Sequence, residues 1–517
     1  GLQIKPTEGD GDDLDTPDTP DTPEGAENRD AEPADPPNQQ PDRPNPAEED
    51  DKLDKRLAAY YARILFFAFL TDSTVKSLEE VIAAIPETTD NRRIANHLGL
   101  DRKVLEVIQK KSNPFILHDL DYKIENTNDL IRDVALHPME RVEIAMRRFG
   151  RLSDSEIVTP AKVADEMVAI LPFDVLNEKA DARFLDIASK EGEFSVALYR
   201  RFGEKVKSRL YAIATSTLAY EFTRKVYTLL GMPTENIYAD FTSYDLIGEN
   251  NNEIIEQLTD MKFDVIIGNP PYQESDGGGR ESSAVSLYHK FIECANVMSP
   301  TYTSMIIPAR WYSGGKGLDD FRNMMLSDSH IKFIYDYPET SDCFAHLNIR
   351  GGVCYFLRDK NYKGDCTIYN MKNGTVQSST MRPLLEPGCQ IFIRYNAAIN
   401  ILTKVRAKNE HTYGDIVSAR NPFRLPSNFS DYAKYADKLH NIKLYRFGED
   451  VYIRPSQVER NTDLISKWKV LVSKASPGGD EYPHSIVSRP IISEPGSVCT
   501  ETYLIIQVVP SKQAAKH

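Results

Sequence analysis

The segment FDVIIGNPPYQ, residues 263–273, reads as a buried strand running straight into Asn269-Pro270-Pro271-Tyr272. Two consecutive prolines hold the backbone in an extended turn and remove two N–H donors, leaving a stiff array of carbonyl acceptors. Such an array suits a planar amino group. That nitrogen is a poor nucleophile while its lone pair is delocalised, and accepting both of its N–H hydrogens favours the pyramidal form. The Asn269 side-chain oxygen and the Pro270 carbonyl are the candidate acceptors, acting where charge develops in a transition state. Tyr272 adds an aromatic face on which a flat ring stacks. The plainer reading of NPPY is a turn that ends a strand.

Three upstream segments could feed the same place. In RFLDIASKEGEF a short strand ends at Asp186, and Gly192 precedes a helix starting near Phe194. A glycine there lets backbone approach a ligand, and the helix N–H groups are free for a polar partner. In SEIVTPAKVADEMVAILP the Thr159-Pro160 pair opens a helix with proline in its first turn. In NIYADFTSYDL, Asp240 directly follows a strand, where it either accepts from an amino group or caps the next helix.

Positioning these residues takes a particular scaffold. Between about 150 and 370, short β-rich runs alternate with amphipathic stretches: Phe184–Ile187, Leu210–Ile213, Asn236–Ala239, Phe263–Gly268, Ser304–Ile307, Ile331–Tyr335 and Gly352–Leu357. Strands separated by helices predict an α/β fold with a doubly wound, mostly parallel seven-stranded sheet, which binds ligands outside the carboxyl ends of its strands. Residues 53–145 carry apolar side chains at helical spacing (Leu57, Tyr60, Tyr61, Ile64, Leu65, then Val75, Leu78, Val81, Ile82) and predict a helical subdomain preceding the sheet. No acidic pair followed by ExK marks it as a nuclease. Residues 376–517 are expected to form a mixed α+β domain after the catalytic core of 146–375.

Charge is unevenly spread. Residues 1–52 hold 17 acidic against 4 basic side chains, so this Pro-rich tail alone accounts for −13 of the net −15. With almost no large apolar residues it predicts a disordered linker, once joined to something upstream of Gly1. Residues 401–517 hold 17 basic against 12 acidic side chains, the better place to face a polyanion. Arg420, Arg424, Arg446, Arg454, Lys474 and Arg489 are interleaved there with aromatics, as phosphate contacts, base readers or plain surface charges. The 6 cysteines form no CxxC pair, which argues against zinc or a disulfide framework and fits a reducing cytoplasm. The apolar run Ile64–Leu70 is far shorter than the roughly 20 residues that span a bilayer. Gly277, Gly278 and Gly279 mark either a loop that orders over a ligand or a plain solvent loop. GGKG at 314–317 lacks the spacing of a phosphate-binding P-loop.

Thr159-Pro160, Asp186 with Gly192, Asp240 and NPPY, in that order, resemble the N6-adenine DNA methyltransferases of bacterial restriction-modification systems. The likeness is to the gamma class, whose recognition domain follows the core, and it covers about residues 145–517. It implies S-adenosylmethionine as cofactor and double-stranded DNA as partner, with a nuclease or helicase region upstream in the same polypeptide. By the family pattern Thr159, Pro160, Asp186, Ala188 and Gly192 hold the methionine end of the cofactor, Asp240 or Phe241 meets its adenine, and Asn269 lies against it. Asn269, Pro270, Pro271 and Tyr272 receive a flipped-out adenine, and methyl transfer is direct, without a covalent intermediate. The C-terminal stretch from Trp468 resembles the truncated recognition domain of type IIG-like enzymes. Two departures stand out: Ile187 and Lys190 replace the proline and first glycine of the DPxxGxG loop, and LYAIATS lacks the acid that grips the ribose, leaving Thr215, Ser216 or Glu221 to substitute. Other readings are an NPPY methyltransferase acting on ribosomal RNA or a protein glutamine, and a non-catalytic DNA-specificity module.

Overall fold

The computed structural model describes residues 60–149, 157–273, 285–315, 317–345, 347, 349–410, 414, 416–475 and 488–514. The acidic tail, the triple-glycine loop, Lys316 of GGKG and residues 476–487 lie outside them. The chain divides into two compact units, one ending at Arg141 and one starting at Val142.

In the first unit the described residues are helical, as their spacing predicts. Helices Leu78–Ala84, Thr89–His97, Arg102–Lys111 and Pro114–Arg132 each start on a polar side chain that accepts a backbone N–H: Ser77, Thr88, Asp101 and Asn113. Buried Asn128 donates to the Ala68 and Ser73 carbonyls at 3.0 and 3.2 Å and accepts from the Val75 amide at 3.2 Å, which satisfies a turn that has no water to bond.

The second unit is built on one mixed sheet. Its strands are β1 (Phe184–Ser189), β2 (Leu210–Ala214), β3 (Ile237–Tyr238), β4 (Val265–Gly268), β5 (Tyr302–Pro308), β6 (Ile331–Tyr337), β7 (Val353–Asp359), β8 (Cys366–Lys372) and β9 (Thr375–Arg382). They lie in the order β3-β2-β1-β4-β5-β7-β6-β8-β9. The first five are parallel; β7 runs antiparallel to both β5 and β6, and β9 antiparallel to β8. All seven expected strands are present.

The sheet nevertheless has nine strands, not seven. The hairpin β8–β9 turns at Asn373 (φ 51°) and Gly374 (φ 67°), an Asn-Gly pair of the kind a two-residue hairpin needs. The expected core boundary at 375/376 therefore falls inside this hairpin. After it, Arg394 clasps the buried Asp336 of β6 through two bonds of 2.8 Å, tying the following segment back to the sheet.

Every residue of β1, β4 and β5 is buried, as in strands covered on both faces. On one face Leu185, Ile187, Ile266 and Ile307 pack with Phe291, Ile292 and Met325 of the crossover helices. On the other, Phe184 meets Phe202 of helix Glu193–Phe202 at 5.5 Å. Beyond Arg406 the described chain forms two small three-stranded sheets around their own core of Phe423, Leu425, Leu444, Val451, Ile453 and Val498. No helix of the described residues is long and apolar enough to cross a membrane.

Candidate active site

Parallel pairing puts the ends of β1 and β4 side by side, with Asp186 opposite Ile267 and Phe184 opposite Val265. The loop after β1 and the turn after β4 consequently emerge together at the carboxyl edge of the sheet. The strands approach so closely that a Cβ on Gly268 would stand 3.0 Å from the Ile187 side chain. Gly192 supplies the tight bend into helix Glu193–Phe202 at φ 78°. Its amide donates to Ser189 Oγ at 3.1 Å.

Asn269 is fully buried, and its amide is oriented by one bond: Nδ2 donates to the Ile157 carbonyl at 2.9 Å. Because a carbonyl only accepts, the donating nitrogen of the amide must face it and the amide oxygen must face the other way. There Oδ1 is buried with no hydrogen-bond partner among the described residues. An unpaired buried acceptor is destabilising by roughly 1–3 kcal/mol, so its survival in a folded protein needs a reason.

It has company. Thr159 Oγ1, Asp186 Oδ2, Glu193 Oε1, Thr215 Oγ1 and the Tyr272 hydroxyl are also buried and unpartnered. These belong to the segment before helix Ala161–Ala169, the β1 loop, the end of β2 and the NPPY turn, all on one edge. Burial, reinforced by the neighbouring Glu193 carboxylate, pushes the Asp186 carboxyl well above the usual carboxylate range. Burial likewise raises the Tyr272 phenol.

Glu193 was not singled out by sequence, where an acid in a first helical turn reads as a solvated dipole contact. Here it is buried, and its Oε2 accepts from the Lys190 and Glu191 amides at 3.4 and 3.0 Å. The loop donors that could cradle a phosphate thus already hold a carboxylate. With one oxygen on each of Asp186 and Glu193 lacking a partner among the described residues, this edge is rich in acceptors and suits a cationic or donor-bearing ligand. Buried Lys190 reaches across the edge and donates from Nζ to the Asn269 carbonyl at 2.7 Å, joining the β1 loop to the NPPY turn.

A cavity of about 360 Å3 opens between them, lined by Lys190, Pro270, Pro271, Tyr272, Tyr288 and Pro308 among others. This lies in the range of pockets that hold small ligands, about 300–1,000 Å3. Among the described residues no group of acidic, His or Cys side chains could hold a metal ion.

Other expected positions sit apart from this centre or differ in detail. Pro160 is the N-cap of helix Ala161–Ala169, one residue before its first turn. Ala188 is buried in β1. Asp240 is exposed after β3 and caps nothing: the following 3-10 turn is capped by Thr242 with Asp245. Phe241 packs on Tyr238 at 5.1 Å. Among the proposed ribose substitutes, Ser216 caps helix Thr217–Leu230 through the Ala219 amide at 3.2 Å, and Glu221 is buried within that helix.

Most of the C-terminal cations are engaged. Arg420 and Lys474 share Glu501 at 3.3 and 3.7 Å, Arg424 meets Glu459 at 3.4 Å, and Arg454 pairs with Asp431. Arg446 donates to the Tyr432 hydroxyl at 2.8 Å and covers its ring. Arg489 is exposed and forms no ion pair among the described residues.

Residues 202–344 match the family described as Eco57I restriction-modification methylase. Over 211 residues the chain is 34% identical to an uncharacterised adenine-specific methylase of Mycoplasma pneumoniae, a match covering 37% of this chain and 49% of that protein. The chain thus spans about half the length of the curated relative it matches. Among solved structures it is similar to a type I restriction-modification methyltransferase subunit from Streptococcus thermophilus (13% identity, TM-score 0.40, 70% of this chain and 90% of that one). It is also similar to a DrdV–DNA complex (12%, 0.46, 89% and 62%). The resemblance to restriction-modification methylases read from the motifs is therefore shown by comparison as well.

Proposed function

We propose that this chain, whose residues 202–344 match restriction-modification methylases, is a site-specific DNA methyltransferase acting on the exocyclic amine of adenine. The observation that carries the reading is Asn269: its amide is pinned through nitrogen to Ile157, its oxygen is buried without a partner among the described residues, and the next residues of the turn, Pro270 to Tyr272, line a cavity. An acceptor fixed before the substrate arrives needs no reorganisation when charge develops. The Pro270 carbonyl supplies the second acceptor, so both N–H hydrogens of the target amine are held and its lone pair is released from the ring. Tyr272 offers a face for the base, which must leave the duplex at a cost of a few kcal/mol.

The acceptor-rich loop fits S-adenosylmethionine, whose ammonium and sulfonium are cationic, better than it fits a phosphate. Asp186 would hold the amino group, with Thr159 and the helix start after Gly192 at the methionine end. Thr215 is the ribose contact we favour, because its hydroxyl is buried without a partner whereas Ser216 already caps a helix. Phe241 and Asp240 lie further along the same sheet edge, toward the cofactor's adenine. The cofactor, when bound, supplies an electrophilic methyl group. The chain's own residues orient the amine, exclude water from the buried turn and leave the departing proton to solvent through the cavity.

Transfer of labelled methyl groups to duplex DNA, ribosomal RNA and a glutamine-bearing release factor tests this directly. Label in the adenine N6 position of duplex DNA is the expected result. Label only in RNA or protein would replace the substrate, and no measurable cofactor binding would leave a DNA-specificity module.

A further inference from the structure

We propose that Arg310 and Arg350 form a phosphate clamp at the cavity mouth, gripping the backbone of the DNA strand that carries the target nucleotide. This rests on the DNA-methylation reading above. The two arginines are far apart in sequence, and strand reversal unites them. β5 and β7 pair antiparallel with Pro308 opposite Val353, and the Ala309 amide donates to the Gly352 carbonyl at 2.9 Å. The turn Ala309–Tyr312 after β5 and the turn before β7 therefore meet at the same sheet edge. Both Arg310 and Arg350 are exposed, and both line the cavity that Tyr272 and Tyr288 wall.

Neither guanidinium has an ion pair or side-chain hydrogen bond among the described residues. That sets them apart from arginines nearby: Arg322 is held by Asp319, Arg358 by Asp328 and Arg394 by Asp336. It also sets them apart from Arg420, Arg424 and Arg454 in the C-terminal segment, which face carboxylates. A base drawn into a pocket brings its sugar to the mouth, and a sugar within a strand is flanked by two phosphates. Two guanidinium groups at that mouth, without ion-pair partners among the described residues, match them in charge and in their forked donor geometry. Their contact is with backbone, so it helps offset the loss of stacking without reading sequence.

The test is the salt dependence of binding of the full chain to a fluorescein-labelled short duplex DNA. Each phosphate contact contributes about 0.9 to the slope of log K against log salt. Arg310→Gln and Arg350→Gln should each flatten the slope by about that amount, and the double variant by about twice as much. Affinity should fall equally for any duplex sequence, cofactor binding should not change, and Arg310→Lys should keep the slope. Unchanged slopes in both glutamine variants, alongside intact methylation by the parent chain, would overturn the clamp and leave the methyltransferase reading standing. Loss of sequence discrimination at constant slope would also overturn it, by making these residues base readers. A parent chain that neither binds nor methylates duplex DNA would remove both readings.

Discussion

Replacing Asn269 by alanine separates the rate of the reaction from the stability of the fold. The side chain makes one bond, from Nδ2 to the half-buried Ile157 carbonyl at 2.9 Å, and its loss should destabilise the second unit by only about 1 kcal/mol. Removing the buried Oδ1 also relieves an unpaired acceptor, which offsets part of that loss. The rate effect is larger. Deleting one preorganised hydrogen-bonding group aimed at a transition state lowers kcat by roughly 10²–10³, or about 2.7–4 kcal/mol. Single-turnover transfer to duplex DNA, calorimetric unfolding and equilibrium cofactor binding should be measured on the same preparation. The expected pattern is a rate down at least a hundredfold, on the order of the loss just cited, with cofactor affinity nearly unchanged. Asn269→Asp should not rescue it, because a carboxylate oxygen would then face the Ile157 carbonyl and the side chain would turn. A rate within about threefold of the parent, under 1 kcal/mol by the usual conversion, would refute the acceptor argument. A parallel fall in cofactor affinity and rate would make Asn269 a cofactor contact instead.

Other expectations follow from particular neighbours. The folded Asp186 carboxyl is raised above its unfolded value by burial and by Glu193, so ligand-free stability is highest below the unfolded carboxylate range and falls as pH rises through the raised value. Asp186→Asn should therefore melt like the parent in acid and above it near neutrality; equal melting across that range would contradict the buried, unpaired carboxylate. Gly192→Ala meets only ordinary contacts, the nearest at 3.5 Å, and should lose about 1–2 kcal/mol for its left-handed backbone alone. Gly352→Ala would drive a Cβ into the Tyr337 carbonyl at φ +74°, and should unfold or grossly shift the second unit, by about 3 kcal/mol or more, in thermal melts. Arg424→Ala breaks only an exposed pair with Glu459, so its stability should stay within about 0.5 kcal/mol of the parent.

Buried parallel strands were legible because each concentrates β-branched and aromatic residues into a short apolar run. β9 escaped notice for the opposite reason: TVQSSTMR lies with nearly every residue exposed and carries no apolar alternation, and only the Asn373-Gly374 turn betrayed the hairpin. At the site, NPPY and Asp186 announced themselves by residue type, since consecutive prolines and an acid inside an apolar run have few other uses there, although the strand expected to end at Asp186 continues to Ser189. Glu193 did not, because burial of a charge is decided by helices packed over it and not by its neighbours in sequence. The pairing of Arg420, Arg424 and Arg454 was equally hidden: their partners Glu501, Glu459 and Asp431 lie 81, 35 and 23 residues away. Lys190 looked like a substitution in a glycine loop, and only the juxtaposition of β1 and β4 reveals its reach to the Asn269 carbonyl.

The bond from Asn269 to Ile157 sets a lower limit on any working fragment. A piece trimmed to the stretch that matches the methylase family, 202–344, would keep the proline turn and lose the peptide that clamps its amide, together with Asp186 of β1 and Glu193 of the helix after it. Such a piece would present the signature without the fixed rotamer, so engineers transplanting this centre must carry Ile157 along with it.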